Sequence, residues 1–183
     1  FGIGKVDVVK SNIDETNKNI EKTNGDIFIG GDHSITYSLF KGFAKNFKNP
    51  GLILFDAHPD CYLEKFLNHE NWVAYLIKDG IVKGKNIILI GIRNSDVKEV
   101  KFIKENNIKS FDMKKVFENK EDICDTIMEL AREFDGLYLS LDIDVLDPSY
   151  APGTGYLEPG GMSTRELIYF LQRLRLLNNL KSG

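Results

Sequence analysis

Three short clusters of ionisable side chains punctuate this sequence, and each directly follows an apolar run. They are Gly30-Gly31-Asp32-His33-Ser34, Asp56-Ala57-His58-Pro59-Asp60 and Asp142-Ile143-Asp144. In extended backbone, residues two apart project to one side, so Asp56, His58 and Asp60 can converge on one point, and Asp142 and Asp144 share a side as well. Carboxylates gathered in this way repel one another and are costly to bury unless a cation offsets them. Pro59 cannot donate to a sheet ladder, which suggests that its segment has left the sheet and is shaped for a site. Read alone, the first cluster favours a plain glycine turn, with Ser34 capping the next helix and His33 held by a backbone group. Asp147, before Pro148, reads as a cap or turn initiator. Together, His33, Asp56, His58, Asp60, Asp142 and Asp144 offer two imidazoles and four carboxylates with no thiolate. That hard, oxygen-rich set suits Mn²⁺ or a similar divalent ion, and six side chains exceed what one catalytic ion with open positions needs. Two bridged ions are the natural reading.

The elements that must position these residues follow from periodicity. Short apolar runs at 26–30 (DIFIG), 52–56 (LILFD), 86–92 (NIILIGI), 108–111 and 137–143 (LYLSLDI) read as strands, most of them buried on both faces. Amphipathic segments lie between them. Ile35, Leu39, Phe40 and Phe43 form one helical stripe, Trp72, Val73, Leu76 and Ile77 another ended by Gly80, and Ile123, Ile127, Ala131 and Phe134 a third. A last helix opens with the capping box Ser163 and Glu166 and continues through Leu167, Phe170, Leu171 and Leu174. Residues 11–24 are polar, with Ile13 and Ile20 as the apolar anchors of a weak helix or a loop. This alternation is that of parallel strands joined by crossover helices, a single α/β domain. In such sheets ligands bind outside the carboxyl ends of the strands, where all three clusters fall.

Composition narrows the function classes. The chain has 183 residues, 42% of them hydrophobic, with 24 Lys+Arg against 27 Asp+Glu for a net charge of −3. Its lysines are scattered among acids, so no basic footprint for nucleic acid exists. No stretch approaches the roughly 20 apolar residues of a membrane helix, and the first residues lack a secretory layout, so a cytoplasmic protein is expected. Cys61 and Cys124 are too few for a disulfide scaffold and are expected to be free thiols. A lone G-x-G at Gly153-Thr154-Gly155, without a P-loop or dinucleotide fingerprint, gives no reason to expect a nucleotide.

GGDHS, DAHPD and SLDIDVLDPSYAPGTG, in this order, closely resemble the three signature motifs of the ureohydrolases, the arginase/agmatinase family, over residues 26–177. The resemblance implies a three-layer α/β fold, with a central mostly parallel sheet and helices on both faces, that carries two Mn²⁺ per chain and hydrolyses guanidino compounds to urea and an amine. It further implies that His33, Asp56, Asp60 and Asp142 hold one ion, that Asp56, His58, Asp142 and Asp144 hold the other, and that Asp56 and Asp142 bridge. Asp60 would also serve catalysis. His69 falls near the family's proton-shuttle histidine, although its context is His69-Glu70-Asn71-Trp72 rather than His-Gly-x-Pro; a helix N-terminal histidine is the other reading. Asp96, in Gly91-Ile92-Arg93-Asn94-Ser95-Asp96, resembles an arginase aspartate that contacts the substrate amine, and helix capping is its alternative. Gly153-Thr154-Gly155 with Glu158-Pro159-Gly160-Gly161 looks more like agmatinases than arginases, so the expected partner is a small guanidino substrate such as agmatine. The family commonly forms trimers or hexamers.

Two other readings compete. A metallophosphoesterase also begins with Asp-x-His and uses Asn-His-Glu, which Asn68-His69-Glu70 imitates, but its later Gly-His-x-His cannot be supplied by a chain with three histidines. A catalytically silent or structural metal-binding protein is favoured by the altered surroundings of His69, and a hydrolase of a different linear amidine is a further alternative. The sequence also reads as truncated at both ends: after the helix from Ser163 an α/β domain would return to another strand, and the chain is expected to stop just as that strand is launched.

Overall fold

The computed structural model describes residues 3–183. Its elements in chain order are α1 (Ile13–Glu21), α2 (Ile35–Ala44), β1 (Pro50–Phe55), α3 (Trp72–Lys78), β2 (Ile87–Ile92), α4 (Val97–Glu105), β3 (Lys109–Asp112), α5 (Met113–Ala131), β4 (Gly136–Leu141), α6 (Thr164–Leu174) and β5 (Leu180–Ser182). Single 3₁₀ turns occupy Gly84–Asn86 and Ile143–Val145. The strands form one parallel sheet in the order β3-β2-β1-β4-β5.

The apolar runs of β1 and β2 are buried throughout because helices cover both faces. The two-residue period sorts their side chains. Ile53, Phe55, Ile88 and Ile90 pack with Leu137 of β4 against Cys124, Ile127 and Ala131 of α5 and Leu167, Phe170 and Leu174 of α6. On the opposite face, Leu52, Leu54, Ile87 and Leu89 pack with Tyr138 against Ile20, Leu39 and Phe40 of α1 and α2 and Trp72, Val73 and Leu76 of α3. Each fully buried Leu or Ile contributes roughly 1.5–3 kcal/mol, so these two layers hold the sheet rigid beneath its loops.

The crossovers run outward from the centre in opposite directions, β1 to β2 to β3 on one side and β4 to β5 on the other. Strand order therefore switches between β1 and β4, whose last residues, Phe55 and Leu141, lie in register. The next residues are Asp56 and Asp142, and the Asp142 amide donates to the Phe55 carbonyl at 2.8 Å. Two clusters distant in sequence thus meet at the crevice where an open α/β sheet binds ligands.

Several expectations are corrected. Residues 26–30 form no ladder: Ile27 and Ile29 are exposed, and the segment makes only two backbone bonds to Gly183, Phe28 N–H to its carbonyl and its own N–H to Asp26. The strand expected to be missing after the last helix is present as the three residues of β5, which pairs with Leu137 and Tyr138. Ser34 does not cap α2; instead Asp32 accepts hydrogen bonds from the Ser34 amide and hydroxyl. Ile123, Ile127 and Ala131 of the third amphipathic stripe form only the latter part of α5, which starts ten residues before Ile123 and is interrupted at Asn119, where the backbone leaves helical geometry; Phe134 lies past its end. Residues 11–24 do contain a helix, capped by Asn12, but Ile13 is exposed and only Ile20 anchors it. Cys61 and Cys124 are buried free thiols.

Helix α1 docks on α2 where Gly42 brings the two backbones together: a Cβ at that position would lie 2.3 Å from the Glu21 carbonyl oxygen. Alanine is the better helix former by about 1 kcal/mol, yet here it must push α1 away, which costs roughly 1–3 kcal/mol. Gly42→Ala is expected to lower the urea midpoint of unfolding, and a raised midpoint would show that α1 is not held there.

Candidate functional site

Asp56 is the centre of the site. Its side chain is almost fully buried, with Oδ2 3.0 Å from His33 Nδ1 and Oδ1 3.4 Å from His58 Nδ1. His33 Nδ1 also lies 3.3 Å from Asp60 Oδ2 and from Asp142 Oδ2, while His58 Nδ1 lies 3.1 Å from Asp144 Oδ2. Two trios result, His33-Asp56-Asp142 and Asp56-His58-Asp144, each with its ligand-type atoms within 4.8 Å of one another. They share Asp56. All six residues of the three clusters are therefore brought together at the ends of β1 and β4, along with the turn before α2.

The backbone sets this geometry. The Ala57 amide donates to Asp144 Oδ1, the His58 amide to Asp56 Oδ1, and the Asp144 amide to Asp142 Oδ1, at 3.0, 2.7 and 2.9 Å. The segment after Asp56 does not stay extended to its end: Asp60 has φ +50°, a left-handed conformation that Asp adopts more readily than most residues. That turn directs its carboxylate back towards His33.

The electrostatics call for positive charge. Burial opposes protonation of His33, but the carboxylates of Asp142, Asp56 and Asp60 crowded around its Nδ1 outweigh burial and raise its pKa well above the usual histidine value. Bonding to Asp144 and Asp56 pushes His58 up to about 11. Burial, with the neighbouring charge of Asp56, raises Asp60 to about 7. A divalent cation supplies that charge without protonating the imidazoles, which must be neutral to ligate. Two buried atoms support this fit: His33 Nδ1 and Asp56 Oδ2 lie side by side yet neither has a hydrogen-bond partner. Two atoms that ligate one ion are left in this state when the ion is not counted as a partner.

A cavity of about 620 Å³ opens above the trios. Tyr62, His69, Glu70, Asn94, Asp96 and Tyr156 line it, and no lysine or arginine does among the described residues. His69 is half-exposed on this wall, with its ring 6.4 Å from that of Tyr156 and its Nε2 3.9 Å from Glu70. It belongs to neither trio. Asp96 caps α4 through the Lys98 amide at 2.6 Å and also faces the cavity, so the capping alternative describes its bonds. Asp147 likewise holds its own turn, accepting from Ser149 and Gly160.

Sequence reasoning missed the residues that brace the site. Ser140 Oγ meets His33 Nε2 at 2.8 Å, and Trp72 Nε1–H donates to Asp60 at 2.6 Å. Ser140 lies on β4, two residues before Asp142, so the strand period could have found it. Arg93 carries no such local signal. Its guanidinium donates to the carbonyls of Asp144 and Glu158 at 2.6 and 2.7 Å, tying the loops after β2 and β4 together. Glu158 Oε1 in turn lies 3.4 Å from His58 Nε2.

Comparison with known proteins agrees with this architecture. The family model described as the arginase family matches residues 3–182. The arginase of Staphylococcus aureus strain MRSA252 is 34% identical over 97% of this chain, and the chain spans 64% of its length. Among solved structures, the formimidoylglutamase of Bacillus subtilis superposes with a TM-score of 0.93 at 26% identity, covering 98% of this chain and 61% of that one. The arginase of Bacillus caldovelox gives a TM-score of 0.84 at 28% identity, covering 99% and 73%. The chain thus spans less than two thirds of the S. aureus relative and of the B. subtilis structure.

Proposed function

This chain belongs to the arginase family, and from that premise we propose that it binds two divalent ions, manganese by preference, and hydrolyses a guanidino compound with a cationic tail to urea and an amine. The observation that carries the metal reading is the pair of trios sharing Asp56, with His33 Nδ1 and Asp56 Oδ2 unpartnered between them. His33, Asp56, Asp60 and Asp142 would hold one ion, and Asp56, His58, Asp142 and Asp144 the other. Such ions supply Lewis acidity and lower the pKa of bound water, which a resonance-stabilised guanidinium carbon requires of its nucleophile. The residues of the chain do the rest. Asp60, with one oxygen on Trp72, orients the attacking water, and His69 on the cavity wall moves protons between the site and solvent.

The cavity lining supports the substrate class. Glu70 and Asp96 line it and, among the described residues, no lysine or arginine does, so an amine tail is favoured there over a carboxylate. Agmatine fits this description, and Tyr156 in the lining is an aromatic ring of the kind that attracts such a cation. The superposition on formimidoylglutamase favours a second reading, a different linear amidine, although an acid-lined cavity disfavours a substrate that bears carboxylates. Assays with added Mn²⁺ should show urea release from agmatine exceeding that from L-arginine, with no formamide released from formiminoglutamate. A preference for L-arginine would overturn the substrate assignment, and formamide release would establish the second reading.

A further inference from the structure

Glu99 occupies an unusual place for a helix-capping carboxylate. It stands at the third position of α4 and accepts the Asp96 amide on Oε2 at 2.9 Å, completing a capping box. A capping box needs no burial, and Glu166, which does the same work in α6, remains partly exposed. Glu99 is only 8% exposed. Burying a carboxylate is costly unless its oxygens are bonded, and the second oxygen has a partner outside its own helix: Oε1 accepts the Cys61 amide at 3.2 Å.

That amide directly follows Asp60, the residue whose backbone is left-handed. Asp60 is gripped at three points. Trp72 donates to its carboxylate, the Val73 amide donates to its carbonyl at 3.1 Å, and Glu99 holds the peptide group that leaves it. Without the third grip the chain after Asp60 is free to relax towards ordinary φ, which swings the carboxylate away from His33 Nδ1.

We propose that Glu99 is a positioning residue for the metal centre: its buried carboxylate clamps the Cys61 and Asp96 amides together, locking Asp60 in the conformation that points its carboxylate at the His33-Asp56-Asp142 trio. The inference rests on the two-metal reading above. It assigns Glu99 no contact with the substrate or an ion. The clamp also fastens the loop after β1 to the loop after β2, so the metal site and the Asp96 wall of the cavity move as one body.

Glu99→Gln tests this, with Glu166→Gln as a matched control that weakens a capping box remote from the site. Glutamine keeps one acceptor but turns an N–H₂ towards an amide that needs an acceptor. Metal-stripped chains are dialysed against graded Mn²⁺, and bound ions are counted. Wild type and E166Q should reach about two ions per chain, whereas E99Q should hold about one at the concentration that saturates wild type, its other site weakened roughly 10–100-fold. The fluorescence of Trp72, the sole tryptophan, should change on loading in wild type and E166Q, with a shifted Mn²⁺ midpoint in E99Q. In wild type, whatever the folding of the variants, the Cys61 amide should exchange with deuterium as slowly as the amides of α4. A wild type that takes up two ions while E99Q binds them equally tightly overturns the role of Glu99 alone; so does rapid exchange at Cys61. A wild type that binds none overturns the metal reading and this inference with it.

Discussion

Replacing Asp142 with alanine should drop Mn²⁺ occupancy from about two ions per chain, the count of a two-metal site, to below one, and hydrolysis should fall with it. The carboxylate does two things at once. Oδ2 completes the trio with His33 and Asp56, and Oδ1 accepts the Asp144 amide, which shapes the turn that delivers Asp144 to the other trio. Losing it weakens both sites. Asp142 is the informative choice because its side chain is about 30% exposed, against 2% for Asp56, so its removal leaves the packing layers untouched. Its removal relieves carboxylate repulsion but forfeits the Asp144 amide bond and the contact with His33, so each protein's own metal-free melt is the baseline. Adding Mn²⁺ separates the two proteins: at 100 times the dissociation constant it should stabilise wild type by about 2.7 kcal/mol, and D142A far less. Metal analysis and thermal melts with and without Mn²⁺ give the readout. Undiminished occupancy in D142A would remove Asp142 from the ligand set.

His69→Ala should reduce turnover by roughly 10²–10⁴-fold, the usual worth of a positioned proton-transfer group, while leaving two ions bound. The separation of these effects follows from geometry. His69 lines the cavity but belongs to neither trio, and with 44% of its side chain exposed it has no packing role whose loss would disturb the ligands. That exposure also makes the deletion repairable: free imidazole in the assay can reach the wall beside Tyr156 and should restore part of the lost rate. Steady-state kinetics with and without imidazole, alongside metal counting, decide the matter. Unchanged turnover in H69A would exclude His69 from the mechanism, and lost metal would show that it acts through the ligands instead.

Much of this architecture was legible before any coordinates. The runs LILF, IILIGI and LYLSL became β1, β2 and β4 with ends shifted by only a few residues, because strands buried on both faces leave an apolar signal that few other contexts produce. The Ser163-Glu166 capping box marked the start of α6 for a similarly local reason: the bonds lie between residues three apart. Legibility failed where the outcome depended on a neighbour. DIFIG has the composition of a strand, yet Ile27 and Ile29 meet no packing partner among the described residues and form no ladder. Helix α4 is short, and its apolar stripe of Val100, Phe102 and Ile103 went unread although its Asp96 cap was weighed.

The sequence by itself determined the chemical identity of the site. Two histidines and four aspartates at strand ends, in motifs resembling the ureohydrolases, are the donor set of the proposed hard-ion site, and ligand type and two-residue spacing are properties of the chain. Tertiary structure alone decided how those groups meet. Parallel pairing of β1 with β4 sets Phe55 against Leu141 and so brings Asp56 beside Asp142, 86 positions apart in sequence. It also decided which residues hold them: Ser140 behind His33, Trp72 and Glu99 around Asp60, and Arg93 beneath the loops. Apart from Ser140, which the strand period marks, no local pattern reveals such partners, because a hydrogen bond between elements is fixed by the register of the sheet and the packing of its helices, and both are set by the chain as a whole.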